Sequence, residues 1–159
     1  MLTFSQMAIR LLIAMGLGGA IGLERETIGK EAGVRTSMLV CAGAAIFTMA
    51  GLSLPYIISL SPQNLTDVIA RNSGYLTVIG NIVVGIGFLG AGLIIKNEEH
   101  VHGITTAAVV WLVAGVGMLV GLGIIDLAVF ATLLIPTTLY AFRRFGIFEH
   151  GSVPDLTKR

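Results

Sequence analysis

From Asn72 to Ile95 the chain runs for 24 residues without a charged side chain, and from Gly103 to Ile125 for 23. Nothing else in the sequence limits its fold so tightly. A helix needs about 20 apolar residues to cross the roughly 30 Å of hydrocarbon in a bilayer. Three more runs follow the same pattern. Leu11 to Leu23 is uncharged, with only Arg10 interrupting the apolar residues upstream. Thr36 to Thr66 is uncharged, but Pro55, Ser59, Ser61 and Pro62 end its membrane-like part near Leu54. Leu127 to Phe142 supplies 16 residues, closed by Arg143 and Arg144, and must borrow from its flanks to span. The pattern predicts an all-α polytopic membrane protein with about five transmembrane helices, near 4–23, 34–54, 75–95, 104–122 and 124–142.

Composition excludes the other classes. Apolar residues make up 55% of the 159 and charged residues 12%, about half the charge of an ordinary globular domain. So little polar surface cannot cover a soluble body, and disordered chains are richer in charge and poorer in apolar groups. A net charge of +1 offers no basic footprint for nucleic acid. A single cysteine, Cys41, excludes an intramolecular disulfide framework. The first span has the short apolar core of a signal peptide. Glu24 and Arg25 stand where a cleavage motif would be, and it is read as retained.

Lysine and arginine set the orientation. With five spans, Arg25, Lys30, Arg35, Lys96, Arg143, Arg144, Lys158 and Arg159 share one side, against Arg71 and Arg10 on the other. That bias places the amino terminus outside and the carboxyl terminus in the cytoplasm. The segments 24–35 and 96–103 become cytoplasmic hairpin tips.

An offset of 70 superposes Gly22 on Gly92, Leu23 on Leu93, Gly33 on Gly103, Thr36 on Thr106, Val40 on Val110, Ala44 on Ala114 and Gly51 on Gly121. Read as a repeat, this gives two parallel helical hairpins plus one extra helix. Read blandly, glycine, alanine and leucine coincide often in so biased a chain.

Gly85-Ile86-Gly87-Phe88-Leu89-Gly90 matches a dinucleotide-binding string, but it lies inside an uncharged run with no acidic residue between Glu99 and Asp126. The fingerprint needs a preceding strand and such a residue about 20 positions on, so the match is coincidental. Small residues instead let membrane helices approach closely. Gly18, Gly22, Gly85, Gly87, Gly90, Gly92, Gly117 and Gly121 are the candidate packing glycines, within the chain or between protomers.

Polar groups collect where the first hairpin meets the cytoplasm. Glu24, Arg25, Glu26, Arg35, Thr36, Thr105 and Thr106 form a candidate cluster there. It reads as a structural charge cluster, with Glu24 or Glu26 neutralising Arg35, or as a polar site whose helix amino termini suit an anion or carboxylate. Arg10 inside the first span can snorkel. Asn81 can bridge two helices, and Asp126 stands at a span boundary. Glu98, Glu99, His100 and His102 have the composition of a divalent cation site, but nothing in their spacing fixes a geometry, so a solvated loop is the expectation and no cofactor is assigned. The sequence contains no nucleophile–base arrangement, which argues against an enzyme.

Together Gly22-Leu23-Glu24-Arg25-Glu26, Ala32-Gly33-Val34-Arg35-Thr36, the glycine run Gly85 to Gly92, and Gly103-Ile104-Thr105-Thr106-Ala107-Ala108 with Trp111 resemble the MgtC/SapB family. The resemblance implies a bacterial inner-membrane protein, with residues 1–145 as the membrane domain and 146–159 as a short cytoplasmic tail. Longer members carry a further cytoplasmic domain after the membrane part. Members often read Arg-Ile-Ala-Ala-Gln-Val-Val-Ser before the glycine run; here the arginine and serine are missing and Asn81 replaces the glutamine. The resemblance also implies a link to growth in low magnesium and to virulence, through action on other membrane proteins such as ATP synthase. Two functions compete: a non-enzymatic regulator that binds other membrane proteins or its own copies through small-residue faces, and a transporter or channel for an ion or small solute through the polar mouth.

Overall fold

The computed structural model describes residues 2–59, 64, 67–69, 74–97 and 100–145. Its main elements are α1 (Phe4–Thr27), α2 (Val34–Ile58), α3 (Gly74–Leu93), a hairpin of β1 (Ile95–Asn97) and β2 (His100–His102), α4 (Ile104–Leu122) and α5 (Ile125–Arg144). Four helices, α1, α2, α4 and α5, are long and apolar enough to cross a membrane, and α3 adds a shorter apolar stretch over Thr77–Leu93. The chain is an all-α polytopic membrane protein. The 146–159 tail, Glu98, Glu99 and much of the 55–74 loop lie outside the described residues.

Local chemistry sets the boundaries. Thr3 caps α1 by accepting from the Gln6 amide, and Gln6 Oε1 accepts in return from the Thr3 amide, a reciprocal arrangement that satisfies donors helix ends leave free. α5 borrows the flanks its short apolar run needs. Asp126 sits in its first turn and Arg143 and Arg144 in its last, each sign placed where the helix dipole favours it. The segment read as a loop at 96–103 folds instead into a two-stranded antiparallel hairpin, pairing Ile95 with His102 and Lys96 with Val101. Gly103 then turns the chain into α4 at φ +85°, where a Cβ would collide with the Leu93 carbonyl, so only glycine fits.

α2 is the central helix, packed on α1, α4 and α3, while α5 lies against α1 and α4. The core runs through Ala14, Ile21, Cys41, Ala45, Met49, Val109, Val113, Val116 and Val120. Glycines stand at the crossings beside this core, so the helix axes come close. Gly18 meets Cys41 and Ser37 across the α1–α2 crossing, and Gly117 meets the Cys41 carbonyl from α4. Gly22 lies against Gly33 and Val34, and Gly121 against Thr48 and Ala45.

The other four candidate packing glycines behave differently. Gly90 has ordinary contact with Ala107. Gly85, Gly87 and Gly92 have open space where a side chain would be. Among the described residues these three positions therefore make no close helix crossing, and Gly85 lines an open gap between α2 and α3 instead.

Arg10 does more than snorkel. Its Nη1 donates to the Gly121 carbonyl at 2.7 Å, satisfying an acceptor in the last turn of α4, where carbonyls run out of intrahelical partners.

Candidate functional site

α1 continues one turn past the span edge that charge alone suggested, to Thr27. That extra turn builds the site. The buried stripe of α1 is Ala14, Gly18, Ile21, Gly22 and Arg25, spaced as one helix face. Arg25 thus occupies a core position and is only 2% exposed, while its neighbours Leu23 and Glu26 face out.

A buried guanidinium needs acceptors. Arg25 Nη2 donates to Thr106 Oγ1 at 3.0 Å, and the same hydroxyl donates to Glu31 Oε2 at 3.0 Å. One threonine on the first turn of α4 thereby links α1 to the turn between α1 and α2. Glu31 is held below the usual carboxylate range, first by its own backbone amide and then by the Thr106 hydroxyl. Around this relay lies a pocket of about 230 Å³ lined by Glu24, Arg25, Ile28, Lys30, Glu31, His102, Gly103, Thr105, Thr106, Leu139 and Arg143.

Four members of the expected polar cluster, Glu24, Arg25, Thr105 and Thr106, line this pocket, and three do not. Glu26 Oε2 instead accepts from the Val34 amide at 2.9 Å, capping α2, whose Gly33 N-cap has no side chain to do so. Arg35 is exposed and Thr36 half-buried, both outside the pocket lining. Of the two carboxylates expected to neutralise Arg35 across the hairpin, Glu26 is engaged with the backbone of α2 and Glu24 lines the pocket. Arg35→Ala should consequently lower stability by no more than about 1 kcal/mol, the range of an exposed charge, measured by thermal unfolding in detergent.

Sequence reasoning missed Lys30, Glu31 and Arg143 as site residues. Placing Arg25 on the apolar stripe of α1 would have demanded a partner and pointed to the nearest acceptors, but the span was ended at Leu23. Of the loop quartet, His102 lines the pocket, while Glu98, Glu99 and the side chain of His100 lie outside the described residues. Among the described residues no three His, Cys, Asp or Glu side chains gather as metal ligands. The site can hold and orient a small polar group.

A second cavity, about 400 Å³, opens between α2 and α3 along Leu39, Val40, Gly43, Phe47, Asn81, Gly85 and Ile86 among others. It is apolar except for Asn81, which is exposed on α3. Val84 and Phe88, on the same helix, are 74% and 87% exposed.

Comparison with known proteins matches residues 11–147 to the model of the MgtC family. Relatives include YhiD of Escherichia coli strain K12, whose name proposes magnesium transport, 32% identical over 88% of this chain and 62% of its own length. SrpB of Synechococcus elongatus is 36% identical over 87% of this chain and 75% of its own. MgtC of Salmonella typhimurium is 40% identical over 80% of this chain and 48% of its own. The chain thus spans slightly less than two thirds of YhiD and about half of MgtC. No solved structure matches significantly. A family match running from the first span through the last, over the helices that build the Arg25 pocket, leaves one assignment: this multi-pass bacterial membrane protein belongs to the MgtC family.

Proposed function

We propose that this protein is a non-enzymatic membrane regulator that works by docking a transmembrane helix of another membrane protein against the outward face of α3. The carrying observation is that a side chain added at Gly85 or Gly92 would meet no described residue, on the same helix face as Asn81, the one amide in the otherwise apolar wall of the groove between α2 and α3. Close helix approach in lipid needs small residues, and an amide in hydrocarbon is best satisfied by a partner helix. The occupant is therefore a helix with small residues of its own and a hydrogen-bonding side chain opposite Asn81. Magnesium enters through the name of YhiD, and the regulator would act under magnesium limitation. The lysine and arginine bias supports a cytoplasmic Arg25 pocket, with the amino terminus in the periplasm.

Gly85→Leu separates docking from folding. Its side chain enters open space, so the melting temperature should match the parent while activity in magnesium-limited cells is lost. A drop in both would instead place Gly85 in the fold.

The second reading, solute transport, is favoured by the polar pocket at Arg25. Purified protein in liposomes discriminates: the regulator gives no saturable magnesium or solute uptake above protein-free vesicles, whereas selective uptake abolished by Glu24→Gln would establish a transporter.

A further inference from the structure

The Arg25 pocket contains two buried polar atoms without a hydrogen-bond partner among the described residues: Nε of Arg25, a donor, and Oε2 of Glu24, an acceptor. Both residues line the same cavity, and Arg25 is 2% exposed. Buried polar atoms are nearly always satisfied. An open donor and an open acceptor beside one cavity therefore describe the group that fills it. It presents an acceptor to Arg25 and a hydrogen to Glu24.

Charge narrows the class. Arg25, Lys30 and Arg143 bring three cations to the lining against the carboxylates of Glu24 and Glu31. One of those carboxylates, Glu31, is already occupied by the Thr106 hydroxyl. α4 begins here, at Gly103, with no side-chain cap. The amides of Ile104, Thr105 and Thr106 have no intrahelical acceptor, and a helix amino terminus favours negative charge. At about 230 Å³ the cavity exceeds the roughly 30 Å³ share of a single water, leaving room for a tetrahedral oxyanion.

We infer that this pocket binds a phosphate group that carries its own hydrogen-bond donor, held by Arg25, Lys30, Arg143 and the start of α4 and read by Glu24. Inorganic phosphate supplies the donor as a hydroxyl at neutral pH. A phosphoethanolamine lipid headgroup supplies it as an ammonium. Sulfate supplies none, and its oxygens would face the Glu24 carboxylate with no proton between them. Selection of phosphate over sulfate is thus the task of Glu24. This site is separate from the α3 face, so its failure would leave the docking proposal intact.

The test uses the full chain purified in detergent, with thermal unfolding followed while sodium phosphate, or sodium sulfate at matched ionic strength, is titrated against a chloride baseline. A second arm places the protein in phosphatidylcholine vesicles with and without phosphatidylethanolamine. Phosphate should raise the midpoint saturably and more tightly than sulfate. Arg143→Gln and Lys30→Gln, both at exposed positions, should each weaken phosphate about tenfold, the loss of one charge-assisted hydrogen bond, without lowering the ligand-free midpoint. Glu24→Gln should erase the preference for phosphate over sulfate. A shift seen only with phosphatidylethanolamine, and lost in Arg143→Gln, supports the site with the headgroup as its source. Equal responses to phosphate, sulfate and chloride with no phosphatidylethanolamine effect, or a response unchanged in Arg143→Gln and Lys30→Gln, would overturn the assignment.

Discussion

Gly117→Leu is expected to abolish folded protein, and even Gly117→Ala should cost more than most core changes. Gly117 lies so close to the Cys41 carbonyl that an added Cβ would collide with backbone on a neighbouring helix, and Ala44 closes the other side. Backbone cannot swing aside as a long side chain can. Overpacking a filled core costs about 1–3 kcal/mol and occasionally more, and here the strain reaches both crossings of the central helix. Gly18 meets Cys41 from the opposite side, so Gly18→Leu should fail in the same way. Folded yield by size exclusion in detergent checks this. Normal yield from Gly117→Leu would mean that α4 sits farther from α2 than the close approach at Cys41 requires.

Thr106→Val should remove the hydroxyl that joins Arg25 to Glu31. Valine keeps the volume of threonine but cannot accept from a guanidinium, so Arg25 loses its Nη2 partner inside the protein. Losing a hydrogen bond to a charged group costs about 1.5–3 kcal/mol, readable as a lowered midpoint in thermal unfolding. Thr106→Ser keeps the hydroxyl and should recover most of the loss. Equal losses for both variants would assign the effect to packing. Acid should act in the same direction through Glu31. Its folded-state titration lies below the usual carboxylate range, so its contribution is full above that range and is lost as pH falls from it through the lower folded-state titration. In Thr106→Val, where one cause of that depression is gone, the acid sensitivity should shrink.

Sequence reasoning reached the membrane class through the uncharged runs, since the spacing of charges reports hydrocarbon thickness directly. It reached the glycines at 18, 22, 117 and 121 because small residues one helical turn apart mark close crossings. It could not say which glycines face inward. Gly87 and Gly117 have the same local pattern, and only the placement of α3 beside α2 and α4 separates an open face from a filled one. At the site, Arg25 and Thr106 were both identified, but their bond spans 81 positions and depends on where α1 ends. Ending α1 at Leu23 put Arg25 at the interface and left Arg35 as the apparent partner of the acidic pair. One more helical turn buries Arg25, frees Glu26 to cap α2, and leaves Arg35 exposed.

The most direct test of docking on α3 is site-specific photo-crosslinking in native membranes, with a photoreactive residue at Val84 or Phe88 on the α3 face and at Leu133 on α5 as the control. All three positions are strongly exposed, so exposure alone cannot produce a difference. The docking account predicts one discrete protein adduct from Val84 and Phe88 that disappears in Asn81→Leu and Gly85→Leu backgrounds of unchanged stability, with none from Leu133. An adduct of the chain with its own copy would make the occupant a second protomer. Identical adducts from α3 and α5, or an α3 adduct indifferent to Asn81→Leu and Gly85→Leu, would contradict it.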